Sequence, residues 1–138
     1  MRIILDTNVL ISGIFFKGPP FRILQAWRDG ILSIVVSNTI LSEYMRTTTR
    51  LSKDFPEINI SEFLDLLTIK SEIVSEIVNP KHISRHQADD KFLLCALAGK
   101  VPIIISGDNH LLELHPYRTI EIIKPALFAN RFLANKPY

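Results

Sequence analysis

The sequence predicts an α/β protein of three layers, with helices on both faces of a mostly parallel central sheet. Three observations predict it. Short isoleucine- and leucine-rich runs alternate with amphipathic stretches along the whole chain. Those runs are apolar throughout, as in strands covered on both faces. Two of them end abruptly on polar residues, at Asp6 and at Ser106-Gly107-Asp108.

Arg2-Ile3-Ile4-Leu5-Asp6 reads as a buried strand stopped by an acid, with a short helical stretch following through Ser12. Gly18-Pro19-Pro20 marks a loop before a proline-started helix that carries Phe21, Leu24 and Trp27 and stops at Gly30. Ile31 to Val36 is a second strand. Ser37 is suited to cap the next helix, whose stripe is Ile40, Leu41, Tyr44 and Met45, with Glu43 beside it.

A helix from Ser61 to about Lys70 turns Phe63, Leu66 and Leu67 inward, and a short strand falls within Ile73 to Val78. Asn79-Pro80 opens a polar loop through Gln87. Asp89 and Asp90 then start an apolar helix, Lys91 to Ala98, closed by Gly99. Val101 to Ser106 and Ile120 to Ile123 are the last strands, and Pro125 starts a terminal helix.

At 138 residues, with no repeat or linker, the expectation is one domain over 1–138. No apolar run is long enough to span a bilayer, and Met1 to Leu10 meets an aspartate too early for a signal peptide, so a cytoplasmic protein is expected. Cys95, the single cysteine, sits among leucines and reads as an inert buried thiol. A net charge of +2 is too mild to identify a nucleic-acid binder, so the arrangement of charges must decide.

In an open parallel sheet the ligand crevice lies beyond the carboxyl ends of the strands. Asp6 and Asp108 follow strands, Asp90 opens a helix after a loop, and Glu43 lies one to two turns into the helix after the second strand. Taken singly, each has a plain structural use: Asp6 as a helix cap, Asp89 and Asp90 as complements to a helix dipole, Glu43 as a solvated residue, Asp108 as a turn former. Gathered without a cation they would repel one another, so together they call for a metal. Oxygen-only ligands favour Mg²⁺ or Mn²⁺, an ion suited to hydrolysing a phosphodiester.

Asp6-Thr7-Asn8-Val9-Leu10-Ile11-Ser12 resembles the opening motif of the PIN-domain nucleases. Ser42-Glu43-Tyr44 resembles that family's helix glutamate, Asp90-Lys91-Phe92-Leu93-Leu94-Cys95-Ala96 its third acid and following helix, and Ile104-Ile105-Ser106-Gly107-Asp108 its fourth. The resemblance implies a PIN-like fold and an endoribonuclease whose catalytic, metal-holding residues are Asp6, Glu43, Asp90 and Asp108, with Asp89 able to replace or assist Asp90. Ile122-Ile123-Lys124-Pro125 and Phe128 resemble the end of a bacterial branch described as toxins of toxin-antitoxin pairs. That implies an antitoxin partner. Two positions depart from the family: Arg85-His86-Gln87-Ala88 where relatives are more acidic, and His110 where many carry an acid.

Thr7, Asn8 and Ser106 are suited either to orienting the carboxylates or to local capping. Arg46, Arg50, Lys53, Arg85, His86, Lys91 and His110 could meet substrate phosphates, or be ordinary surface charges. Phe15-Phe16 reads as an exposed patch suited to a dimer or antitoxin contact, and Trp27 as core. Two other readings remain. One is a non-catalytic PIN-like module; the other is a haloacid dehalogenase-like phosphatase with Asp6 as nucleophile, which normally wants an acid where Asn8 stands.

Overall fold

The computed structural model describes residues 1–75 and 90–134. Asp89, Arg85, His86, the 79–87 loop and the second half of the third strand's expected span lie outside them. The chain runs β1 (Arg2–Leu5), α1 (Thr7–Phe15), α2 (Pro19–Arg28), β2 (Ser33–Val36), α3 (Asn38–Leu51), a 3-10 turn (Ser52–Asp54) and α4 (Ile60–Lys70). It continues through β3 (Glu72–Ile73), α5 (Asp90–Gly99), β4 (Ile103–Ile105), α6 (Asn109–Leu112), β5 (Glu121–Ile123) and α7 (Pro125–Phe132).

All described strand pairs are parallel, in the order β3-β2-β1-β4-β5. Ile3 lies between Ile34 and Ile103, and Leu5 is level with Ile105. Ile3, Ile4, Leu5, Ile34, Val35 and Val36 are fully buried, which is why these strands read as unbroken apolar runs. The path from β1 to β3 moves one way across the sheet and the path from β3 to β5 the other. Right-handed crossovers therefore place α1 to α4 on one face and α5 on the opposite face, giving three layers. Helix α7 packs against α2.

Two strands are shorter than their apolar runs because helix closures consume the first residues. Gly30, at φ +81, ends α2, and the Ile31 amide donates back to the Ala26 carbonyl at 2.9 Å. Helix α5 ends the same way, with the Val101 amide on the Ala96 carbonyl at 2.9 Å. There the left-handed residue is Lys100, at φ 54, and not Gly99. Gly99 is instead closely packed: a Cβ on it would meet Val101 Cγ2 at 3.2 Å and Val74 Cγ1 at 3.3 Å, so those side chains would have to shift slightly.

Ser37 does cap α3, accepting from the Ile40 amide at 3.2 Å, and Asn59 caps α4, accepting from Glu62 at 3.1 Å. The inward face of α3 is Ile40, Tyr44 and Thr48; Leu41 and Met45 are only half-buried. Thr48 can occupy an apolar face because its hydroxyl donates to the Tyr44 carbonyl at 2.7 Å. The expected Phe15-Phe16 patch is half wrong. Helix α1 runs through Phe15 and turns it inward, stacked on Phe55 at 4.6 Å, so only Phe16 is exposed. Trp27 and Cys95 are buried in the core. Among the described residues, no helix is long and apolar enough to cross a membrane.

Candidate active site

β1 and β4 are neighbours, yet β1 leads to β2 on one side and β4 to β5 on the other. Their carboxyl ends thus form the crevice where the chain changes direction. The Asp6 amide extends the ladder past β1, donating to the Ile105 carbonyl at 2.9 Å, and the Ser106 amide does likewise to Ile123 at 3.0 Å. Asp6 and Ser106 are consequently held side by side at the sheet edge.

Asp6 occupies the N-cap position of α1 without making a side-chain capping bond. Its Oδ2 instead accepts the buried Ser106 hydroxyl at 2.7 Å. The same Ser106 oxygen accepts the Asp108 amide at 3.0 Å, tying the turn after β4 to the first acid. Burial pushes the Asp6 pKa above the ordinary aspartate value; the Ser106 bond opposes that rise, and the charges of Asp108 and Glu43 add to it. Asp108 also has a structural duty, since its Oδ1 caps the short helix α6 by accepting the His110 amide at 2.9 Å.

Glu43 comes from α3, which is anchored behind the crevice by Tyr44. That phenol is fully buried and donates to the Leu5 carbonyl, the last of β1. Burial holds its pKa well above the usual tyrosine value, so it stays a donor. The residue read from the sequence as part of an apolar stripe is therefore also a polar tether; nothing in helical spacing distinguishes the two uses. Glu43 Oε2 accepts the Thr7 hydroxyl, and Glu43 Oε1 meets Lys91 Nζ at 2.9 Å.

An open cavity of about 620 Å³ is lined by Asp6, Glu43 and Asp108 together with Thr7, Asn8, Arg46, Thr47, Arg50, Lys91 and Phe92. Three of the four central acids and three of the proposed cations thus share one space. Asp90 is buried as the first residue of α5, directly before Lys91 and Phe92, but does not itself line the cavity. His110 is exposed and lies outside it, and Lys53 lines the adjoining groove. A smaller cavity of about 240 Å³ is lined by residues of α1, α2 and the start of α4, with Glu62 the one acid among the described residues there.

A family model described as PIN domain matches residues 2–110. The chain belongs to the PIN-domain family. Members of that family are generally nucleases, hydrolases acting on nucleic acid. The match covers β1 to β4 and ends inside α6, so it contains all three acids of this PIN domain's cavity, while β5 and α7 lie beyond it. A search of curated proteins found no match to this chain.

The donor chemistry of the cavity suits a hard divalent ion: three carboxylates, no sulfur or imidazole among the described residues that line it, and a buried aspartate whose charge is costly as it stands. Among the described residues, no three acidic, histidine or cysteine side chains are already grouped closely enough to hold one. Lys91 supplies the positive charge nearest Glu43 in this state.

Proposed function

We propose that this PIN domain is a divalent-metal-dependent endoribonuclease of the cytoplasm, the toxin of a toxin-antitoxin pair. The observation that carries the nuclease reading is the convergence of Asp6, Glu43 and Asp108 on one open cavity whose wall also holds Arg46, Arg50 and Lys91. Acids to gather a cation and bases to meet phosphates are the two things phosphodiester hydrolysis needs from a protein.

Mg²⁺ or Mn²⁺ would be held by Asp6, Glu43 and Asp108, with Asp90, and Asp89 as its alternative, from the start of α5. Bound there, such an ion supplies positive charge that stabilises the phosphodiester's developing negative charge and makes water a stronger acid. The chain's own contribution is orientation. Ser106 sets the Asp6 carboxylate, Thr7 sets Glu43, and the His110 amide sets Asp108. Asn8, exposed at the cavity wall, is placed to hydrogen-bond substrate or water.

RNA as substrate rests on the family resemblance, the toxin role and an antitoxin partner rest on the resemblance of residues 122–128 to the toxin branch, and a homodimer rests on the exposed Phe16. The competing reading is a non-catalytic module, which the Lys91–Glu43 contact favours because it already neutralises one acid. The test is incubation of the pure protein with single-stranded RNA in Mg²⁺ or Mn²⁺, in chelator, and beside Asp6→Asn. Cleavage is expected only for wild type with metal. Equal behaviour of wild type and variant, or no effect of chelator, refutes the catalytic assignment. Size measurement of the protein in solution tests the dimer.

A further inference from the structure

Helix α3 places its charges in an order that matters. Glu43 enters the acidic cavity; Arg46 and Arg50 follow at three and four further residues, on the same side of the helix, and Lys53 comes next in the 3-10 turn. Arg46 and Arg50 line the acidic cavity and also a second, open groove of about 480 Å³, completed by Met45, Thr49 and Lys53. The two spaces therefore meet along a wall of two arginines. Among the described residues, none of those that line the second one is a carboxylate; Asp54 and Glu57, though close in sequence, do not line it.

We infer that this groove is the track for the nucleic-acid strand on one side of the cleaved bond, with Arg46, Arg50 and Lys53 taking successive backbone phosphates. The inference rests on the acidic cavity being the cleavage site. A helix rise of 1.5 Å per residue sets Arg46 and Arg50 about 6 Å apart along the axis. Long, exposed side chains at that interval can follow a flexible single strand. A protein partner would need apolar anchors; among the described residues Met45 is the one apolar side chain of the groove, and the rest of its apolar surface is Thr49 and the aliphatic stems of Arg46, Arg50 and Lys53. The track lies on one side of the acids, so the enzyme holds several nucleotides beyond the cut on that side.

The test is binding of a fluorescent single-stranded RNA of about ten nucleotides over a salt series, in the Asp6→Asn background with Mg²⁺. Each of Arg46→Gln, Arg50→Gln and Lys53→Gln is expected to lower the slope of log affinity against log salt by about 0.7. The double variant Arg46→Lys/Arg50→Lys keeps the charge and should keep the slope. In the cleaving protein, Lys53→Gln should raise KM on long RNA by a larger factor than it lowers kcat. If wild type cleaves RNA while the three glutamine variants keep the parental slope, the track is refuted and the nuclease stands. If wild type never cleaves but the slopes fall, the three cations bind RNA, but the cleavage site is refuted and with it a track beside the cut. Binding of polyglutamate as tightly as RNA would also overturn the track, in favour of an acidic protein partner.

Discussion

The Ser106 hydroxyl donates to Asp6 Oδ2 at 2.7 Å across 100 residues of sequence, joining the ends of β1 and β4. Both groups are buried, so the bond holds the carboxylate in one orientation without competition from water. Ser106→Ala removes that orientation and leaves the acid's charge in place. Cleavage is expected to fall by about 10- to 100-fold, with little change in RNA affinity. A kinetic comparison under saturating Mg²⁺ checks it; unchanged kcat would mean that the bond is only structural.

The raised pKa of Asp6 predicts a pH dependence of stability. The folded state binds this proton more tightly than the unfolded chain does. Stability from this group is therefore greatest below the ordinary aspartate pKa and falls as pH rises through the elevated value. Asp6→Asn removes the titration. In chelator at pH 7 the variant should melt at higher temperature than wild type, the gap closing in acid and shrinking when Mg²⁺ is added to wild type. A variant less stable than wild type under the first condition would contradict the burial argument.

Lys91 competes with any cation for Glu43, through a contact of 2.9 Å between two partly exposed side chains. Lys91→Met should lower thermal stability in chelator and tighten Mn²⁺ binding by about twofold to fivefold, the range of a partly exposed ion pair. Calorimetric titration measures it. Weaker Mn²⁺ binding in the variant would show that Lys91 supports the metal site instead of opposing it.

Lys100 closes α5 in the left-handed conformation, where a side chain costs about 1–2 kcal/mol and glycine costs nothing of the kind. Glycine's greater freedom in the unfolded chain offsets part of the gain. Lys100→Gly should stabilise the protein by about 0.5–1 kcal/mol, a rise of a few degrees in Tm, without affecting cleavage. A lower Tm would show that the Lys100 side chain carries interactions worth more than the strain.

The sequence and the structure agree best where the signal is local. The Ser37 cap, the proline starts of α2 and α7, and the strand-ending acids are all set by residues within a few positions of one another. They depend on backbone preference and one helical turn of contacts, and spacing along the chain records both. Strand ends were less legible: Ile31 and Val101 are apolar whether they extend a strand or close a helix.

What the sequence by itself determined is the alternation of strand and helix, the apolar faces, and the candidate acids in their order along the chain. Only the tertiary structure decided which groups meet. Ser106 turns to Asp6, Thr7 and Lys91 to Glu43, and Tyr44 to the Leu5 carbonyl, while Asp90 is buried at the start of α5, directly before the cavity-lining Lys91 and Phe92. The reason is physical. Contacts across 36 to 100 residues follow from the order in which parallel strands assemble, and that order is set by the packing of the whole core, not by the residues at the strand ends.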